Sequence, residues 1–206
     1  MILVIGNMVK NFVVNSSINL IKDLNKYDKT QLEEIKYGIE AIYLSFSKVI
    51  VILIISFILG IFKETLLFLL TFNLLRITAF GLHASKSIWC WITSSISFLG
   101  IPLICKNFIF NDLTYIVIPI ICLICFLLYA PADTIKRPLI NSKKRKIYKF
   151  LSIATGIIYL TLIILLDNIL IKNLLMFSLV LETILILPIT YKIFKLPYKN
   201  YLNYKN

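Results

Sequence analysis

The chain holds one histidine, His83, and seven residues further on a cysteine, Cys90. A thiol attacks a carbonyl carbon only as the thiolate, and a nearby imidazole or a helix N-terminus is what lowers its pKa. His83 and Cys90 are therefore the pair here that could form an acyl-enzyme, with Cys90 as nucleophile and His83 as general base and then general acid. In one unbroken helix, residues seven apart share a face but lie about 10 Å apart along the axis, too far for the roughly 3 Å contact of proton transfer. The chain must bend between them. Gly81 is placed to end the preceding helix, residues Gly81 to Ser87 are expected to be non-helical, and His83 is expected to fold back over the next helix. Ser85 or Ser87 can N-cap that helix, which puts Cys90 within its first turn or so, near the positive end of the dipole. Spacing alone is weak evidence, because a lone His and Cys at a helix boundary more often serve structure.

Other ionisable residues could support such a site. Arg76 lies seven residues before His83, on the same helix face and about two turns deeper. Two readings of it stand: it holds a substrate carboxylate or oxyanion, or it snorkels to the membrane surface. Asp133 follows Pro131-Ala132 and either orients His83 as the third member of a triad or caps a turn. Glu182 is expected to pair with a neighbouring helix, and Asp167 to sit in a solvated loop. Cys122 and Cys125 form a C-x-x-C inside an apolar run with no partner His or acid, which reads as buried packing rather than a redox or zinc site. Cys105 is expected near the membrane face opposite Cys90. With one His and no His-Glu-x-x-His, the chain lacks a zinc ligand set, so no metal and no cofactor is expected.

The elements that position these groups are set by composition. Of 206 residues 59% are hydrophobic and only 16% charged, with a formal net charge of +12, and the mean hydropathy is +0.89. A soluble domain carries about a quarter charged residues, so this chain has too few polar side chains to cover a water-facing surface. A disulfide scaffold, a disordered chain and a string of soluble domains are excluded on the same ground. Nearly uncharged runs of about the length that crosses a bilayer recur six times: Ala41–Phe62, Thr65–Leu82, Ser87–Cys105, Leu113–Ala132, Phe150–Leu166 and Leu174–Phe194. Arg76 in the second, and Glu182 with Lys192 in the sixth, mark those two as tilted, broken or protein-buried. The expected fold is all-α: an integral membrane protein of six transmembrane helices, residues 41–206, preceded by a surface region, residues 1–40.

With the N-terminus in the cytoplasm, only Lys63, Lys106 and Lys172 of the 22 Lys and Arg residues fall outside. That bias fixes the orientation by the positive-inside rule and puts both termini and the His83/Cys90 junction on the cytoplasmic side of the cell membrane. In residues 1–40, apolar residues at helical spacing from Ile5 to Tyr27 face Lys22, Lys26 and Lys29, which reads as an amphipathic helix on the inner leaflet. Thr30-Gln31-Leu32-Glu33 has the form of a capping box and starts a second helix that runs into the first span. Residues 133–149 form a basic inner loop; Lys136–Lys149 holds seven basic residues and no acid. A loop that binds lipid headgroups explains it better than a nucleic-acid patch, for which aromatic interleaving is missing.

The run from Arg76 through Ala79-Phe80-Gly81-Leu82-His83-Ala84 to Ser85-Lys86-Ser87-Ile88-Trp89-Cys90 resembles the signature of the accessory gene regulator protein B (AgrB) family: Arg, a short spacer, Gly-Gly-x-His-Ala, a Ser-containing stretch and Cys. Tyr129-Ala130-Pro131-Ala132-Asp133, followed by the Lys/Arg cluster, resembles the Pro-Ala-Asp loop of the same family. Phe80 departs from it, standing where the first glycine of the pair is usual. The resemblance implies a membrane cysteine endopeptidase of bacterial quorum sensing, with Cys90 and His83 catalytic and Arg76, Gly81, Ser85 and Asp133 in support. Its implied partner is an AgrD-like precursor peptide, cut on its C-terminal side and closed into a thiolactone or lactone ring. It also implies a homodimer.

The competing class is a small transporter or transporter subunit without enzymatic activity. Glu182 and the helix prolines Pro102, Pro119 and Pro188 could serve it, but the two halves of the chain show no repeat.

Overall fold

The computed structural model describes residues 14–18, 21, 28–82, 87–134 and 138–204. Regular structure among them is helical, and Phe80 forms an isolated bridge with Ala132. The chain divides into two compact units, Met1–Ile55 and Ser56–Asn206.

In the first unit, residues 14–18 are helical, and most of the expected amphipathic surface helix lies outside the described residues. Helix α1, Lys29–Ile58, begins in this unit. Its cap is set two residues before the expected Thr30: the Leu32 N–H donates to the Asp28 carbonyl at 3.0 Å. Gln31 Oε1 reaches back to accept from the Asp28 N–H at 3.0 Å. A Gln at the third helical position meets the same need as a Glu would, so the reach-back half of a capping box forms on Asp28 and Gln31.

The second unit is a bundle built from α2 (Phe62–Ala79), α3 (Ser87–Asn107), α4 (Asp112–Tyr129), α5 (Ser142–Leu165) and α6 (Ile169–Ile186), followed by short α7 (Pro188–Ile193) and a 3-10 turn at Asn200–Tyr204. Among the described residues four helices are long and apolar enough to cross a membrane: Gln31–Ile58 within α1, α4, α5 and α6. Helix α2 carries Lys63, Glu64 and Arg76 along its 18 residues. α6 is the most enclosed of the four, with half of its apolar window buried, and it packs against α2, α3, α4 and α5. Tyr115 OH donates to Asn173 Oδ1 at 2.6 Å, and Asn173 Nδ2 donates to the Cys105 and Phe108 carbonyls at 2.9 and 2.8 Å. One buried amide on α6 thus ties the end of α3 to the start of α4. Away from water, such bonds replace ones the backbone cannot otherwise make. At mid-bundle Thr71 Oγ1 meets Ser178 Oγ at 2.8 Å.

Two expected boundaries are corrected. Residues Ser142 to Lys149 are not loop but the opening turns of α5, because Asn141 caps them, accepting from the Lys143 and Lys144 N–H groups at 2.9 and 3.3 Å. The expected sixth span is broken: α6 stops at Ile186 and Leu187 is extended at φ −63°, ψ 134° before Pro188 opens α7. A residue before proline is pushed out of the helical region by the ring.

Candidate functional site

The ends of α2, α4 and α6 meet beside the opening turns of α5. Helix α2 stops at Ala79, two residues ahead of the expected Gly81, because Phe80 takes φ 66°, ψ −109° and Gly81 takes φ 89°. Two consecutive positive-φ residues cannot continue a right-handed helix. A glycine adopts this backbone at no steric cost, whereas Phe80 adopts it against its own Cβ. The Phe80 ring packs edge-on to Tyr148 of α5, centroids 4.8 Å apart.

This turn is stapled in place by backbone. The Ala132 N–H donates to the Ala79 carbonyl at 3.0 Å, the Gly81 N–H to the Ala132 carbonyl at 2.8 Å, and the Leu82 N–H to the Leu185 carbonyl at 2.8 Å. A Cβ on Gly81 would fall 3.0 Å from the Leu185 oxygen and 2.5 Å from Arg76 Nη1, so the close approach of three segments needs a glycine. Arg76 adds a side-chain staple: its Nη2 donates to the Leu82 carbonyl, and its Nη1 lies 3.5 Å from Oε1 of Glu182, which is fully buried on α6. The expected pairing of Glu182 with another helix is therefore with Arg76.

Gly81 and Leu82 are non-helical, as the bend required, but Ser87 already belongs to α3. His83 and Ser85 lie outside the described residues, and with them the His83–Cys90 contact and the choice of N-cap. Cys90 is the fourth residue of α3 and partly exposed. Cys105 is buried near the far end of the same helix, about 22 Å away at 1.5 Å per residue. Of the C-x-x-C pair, Cys122 is buried and Cys125 partly exposed. Among the described residues no group of three His, Cys, Asp or Glu side chains could hold a metal ion.

Asp133 is 2% exposed. Its Oδ2 accepts from the Tyr201 N–H at 2.8 Å and the Leu139 N–H at 3.4 Å, and its Oδ1 accepts from the Asn200 N–H at 3.0 Å. Tyr191 OH donates to the Ala132 and Asp133 carbonyls, both at 3.2 Å. The carboxylate thus fastens the C-terminal 3-10 turn to the loop that staples Gly81. Leu185, Tyr191 and Asn200 were not among the residues singled out from sequence, and no local signal could have found them, since each acts on a partner far away in the chain.

Among the described residues the regular structure is helical and four helices are fit to cross a bilayer, which is of membrane-protein type, and Cys90 lies on the helix that follows the backbone-stapled turn in sequence. The family model described as Accessory gene regulator B matches residues 13–186, and the chain belongs to this family. It is 34% identical to an AgrB-like protein of Clostridium acetobutylicum over 189 residues, 92% of this chain and 90% of the relative. It is 38% identical to the accessory gene regulator protein B of Staphylococcus aureus (strain Newman) over 141 residues, 68% of this chain and 75% of the relative. An AgrB-like protein of Listeria innocua is 30% identical over 190 residues, covering 92% of this chain and 93% of the relative. No solved structure matches the chain.

Proposed function

We propose that this chain is a membrane-embedded cysteine endopeptidase that matures an AgrD-like precursor into a cyclic signal peptide for quorum sensing. The observation that carries the reading is the stapled turn at Phe80–Leu82, which delivers the chain to His83 immediately before the helix that presents Cys90 in its opening turns. The family to which the chain belongs supports the choice of substrate.

In this reading His83 takes the Cys90 proton, and the thiolate attacks a backbone carbonyl of the precursor. The C–N bond breaks, the C-terminal fragment leaves as an amine that receives the proton from His83, and a thioester remains on Cys90. A cysteine or serine side chain within the precursor then attacks the thioester, its proton passing to His83, which closes the ring and releases Cys90 as thiolate beside the His83 imidazolium. For a cysteine the exchange is between thioesters and costs little, provided water is kept out. Gly81, Arg76 and Asp133 hold the turn and the loop behind it rather than react, and Ser85 is a supporting residue by the family resemblance. Helices α2 and α3 complete six spans, and the basic end of the bundle with both termini faces the cytoplasm, where the precursor is made.

The test co-expresses the precursor with Cys90→Ser, Cys90→Ala and His83→Ala variants and follows its cleavage on gels. Cleavage is expected to stop with Cys90→Ala and His83→Ala and to fall at least about a hundredfold with Cys90→Ser. Cleavage surviving in all three removes the assignment.

A further inference from the structure

Beside the stapled loop, a cavity of about 310 Å³ opens at the basic end of the bundle, at the low end of the ~300–1,000 Å³ usual for ligand pockets. Its wall carries four cations, Arg145, Lys146 and Lys149 from α5 and Lys199 from the C-terminal segment, against one carboxylate, Asp133. That carboxylate already accepts three backbone N–H groups, so the cations dominate what a ligand meets. Arg145 is fixed: its Nη1 donates to the Leu139 carbonyl at 3.0 Å, and its Cζ lies 3.9 Å over the Tyr201 ring. Bound to a carbonyl and stacked on a ring, the guanidinium is pre-organised for an anion.

We propose that this cavity is a binding site for the phosphate headgroup of an anionic phospholipid. The apolar surface in and beside the wall decides between a lipid and a soluble anion. Leu128, at the end of span α4, lines the cavity and is 64% exposed. Phe150, one turn beyond Lys146 on α5, is 71% exposed. Exposed apolar side chains beside a cluster of cations at a helix end are the composition of the headgroup level of a bilayer. A headgroup held by Arg145, Lys149 and Lys199 leaves its acyl chains to run along the apolar α4 and α5 surfaces that start at Leu128 and Phe150. An acidic peptide would use the cations but not those surfaces. The site is independent of whether Cys90 is catalytic.

The test titrates the purified full chain in detergent with phosphatidylglycerol, phosphatidylcholine, inorganic phosphate or a polyglutamate peptide, reading occupancy by native mass spectrometry. One tight phosphatidylglycerol site is expected. Lys149→Gln with Lys199→Gln should weaken it about thirtyfold, roughly fivefold per cation, and Arg145→Gln should weaken it as well. The control pair Lys143→Gln with Lys144→Gln, exposed on α5 but outside the cavity wall, should change it less than about twofold. Equal weakening by both pairs would mean diffuse surface charge and overturn the proposal. So would phosphatidylcholine or free phosphate binding as tightly, an absence of any tight site, or displacement by polyglutamate at matching concentration, which would assign the cavity to an acidic peptide.

Discussion

Gly81 concentrates three demands in one residue: a left-handed backbone, a carbonyl from α6 at close range and the Arg76 guanidinium beside it. Gly81→Ala is expected to cost roughly 1–3 kcal/mol of local stability and to reduce precursor cleavage at least about tenfold, checked by thermal midpoint and cleavage rate together. An unchanged rate would mean that the turn does not position the site. Phe80, one residue earlier, also takes a positive φ although it carries a Cβ, the conformation that glycine adopts freely. Tyr198 offers a pH test of the C-terminal clasp. Burial, chiefly, raises its phenol from 10.0 to about 12. A folded pKa above the unfolded one favours the neutral phenol, so the contribution is complete below pH 10 and is lost as pH climbs towards 12. Tyrosinate absorbance and proteolysis of the C-terminus are expected to rise together in that window, and Tyr198→Phe to remove part of the first.

Between elements, α4 and α5 pack closely at Gly156 of α5, where an added Cβ would meet Leu123 Cδ2 of α4 at 2.6 Å. Small residues let helix backbones approach where lipid gives no hydrophobic drive. Gly156→Ala is expected near neutral, since a Leu rotamer can give way and alanine favours the helix by about 1 kcal/mol, whereas Gly156→Leu should separate α4 from α5 and lower the thermal midpoint by several degrees. Equal effects would refute close contact there. The start of α5 shows where local reading failed: the density of Lys and Arg read as an inner loop that binds headgroups, yet Asn141 supplies the cap that lets a helix begin there. The break before Pro188 has a local cause, since a proline ring acts on its immediate neighbour, yet the expected span ran through it to Phe194.

On the scale of the whole chain, the six-span, inside-facing arrangement proposed here makes a labelling prediction. With the four native cysteines replaced, Ser142→Cys is expected to react with a membrane-impermeant maleimide only in inverted vesicles, and Asn168→Cys only in intact cells. Reversed accessibility would invert the orientation, and labelling of both from one side would remove the span between them. The sequence by itself determined the membrane class, the helical elements, the need for a bend before Cys90 and the family signature, because hydropathy, charge bias and backbone strain are properties of a few neighbouring residues. Only the tertiary structure decided that Arg76 answers to Glu182 and the Leu82 carbonyl, that Asp133 clasps the C-terminal turn, and that four cations converge on one cavity. Each of those contacts joins segments whose approach is set by how the helices pack, and packing partners leave no periodic or local mark on the chain that contains them.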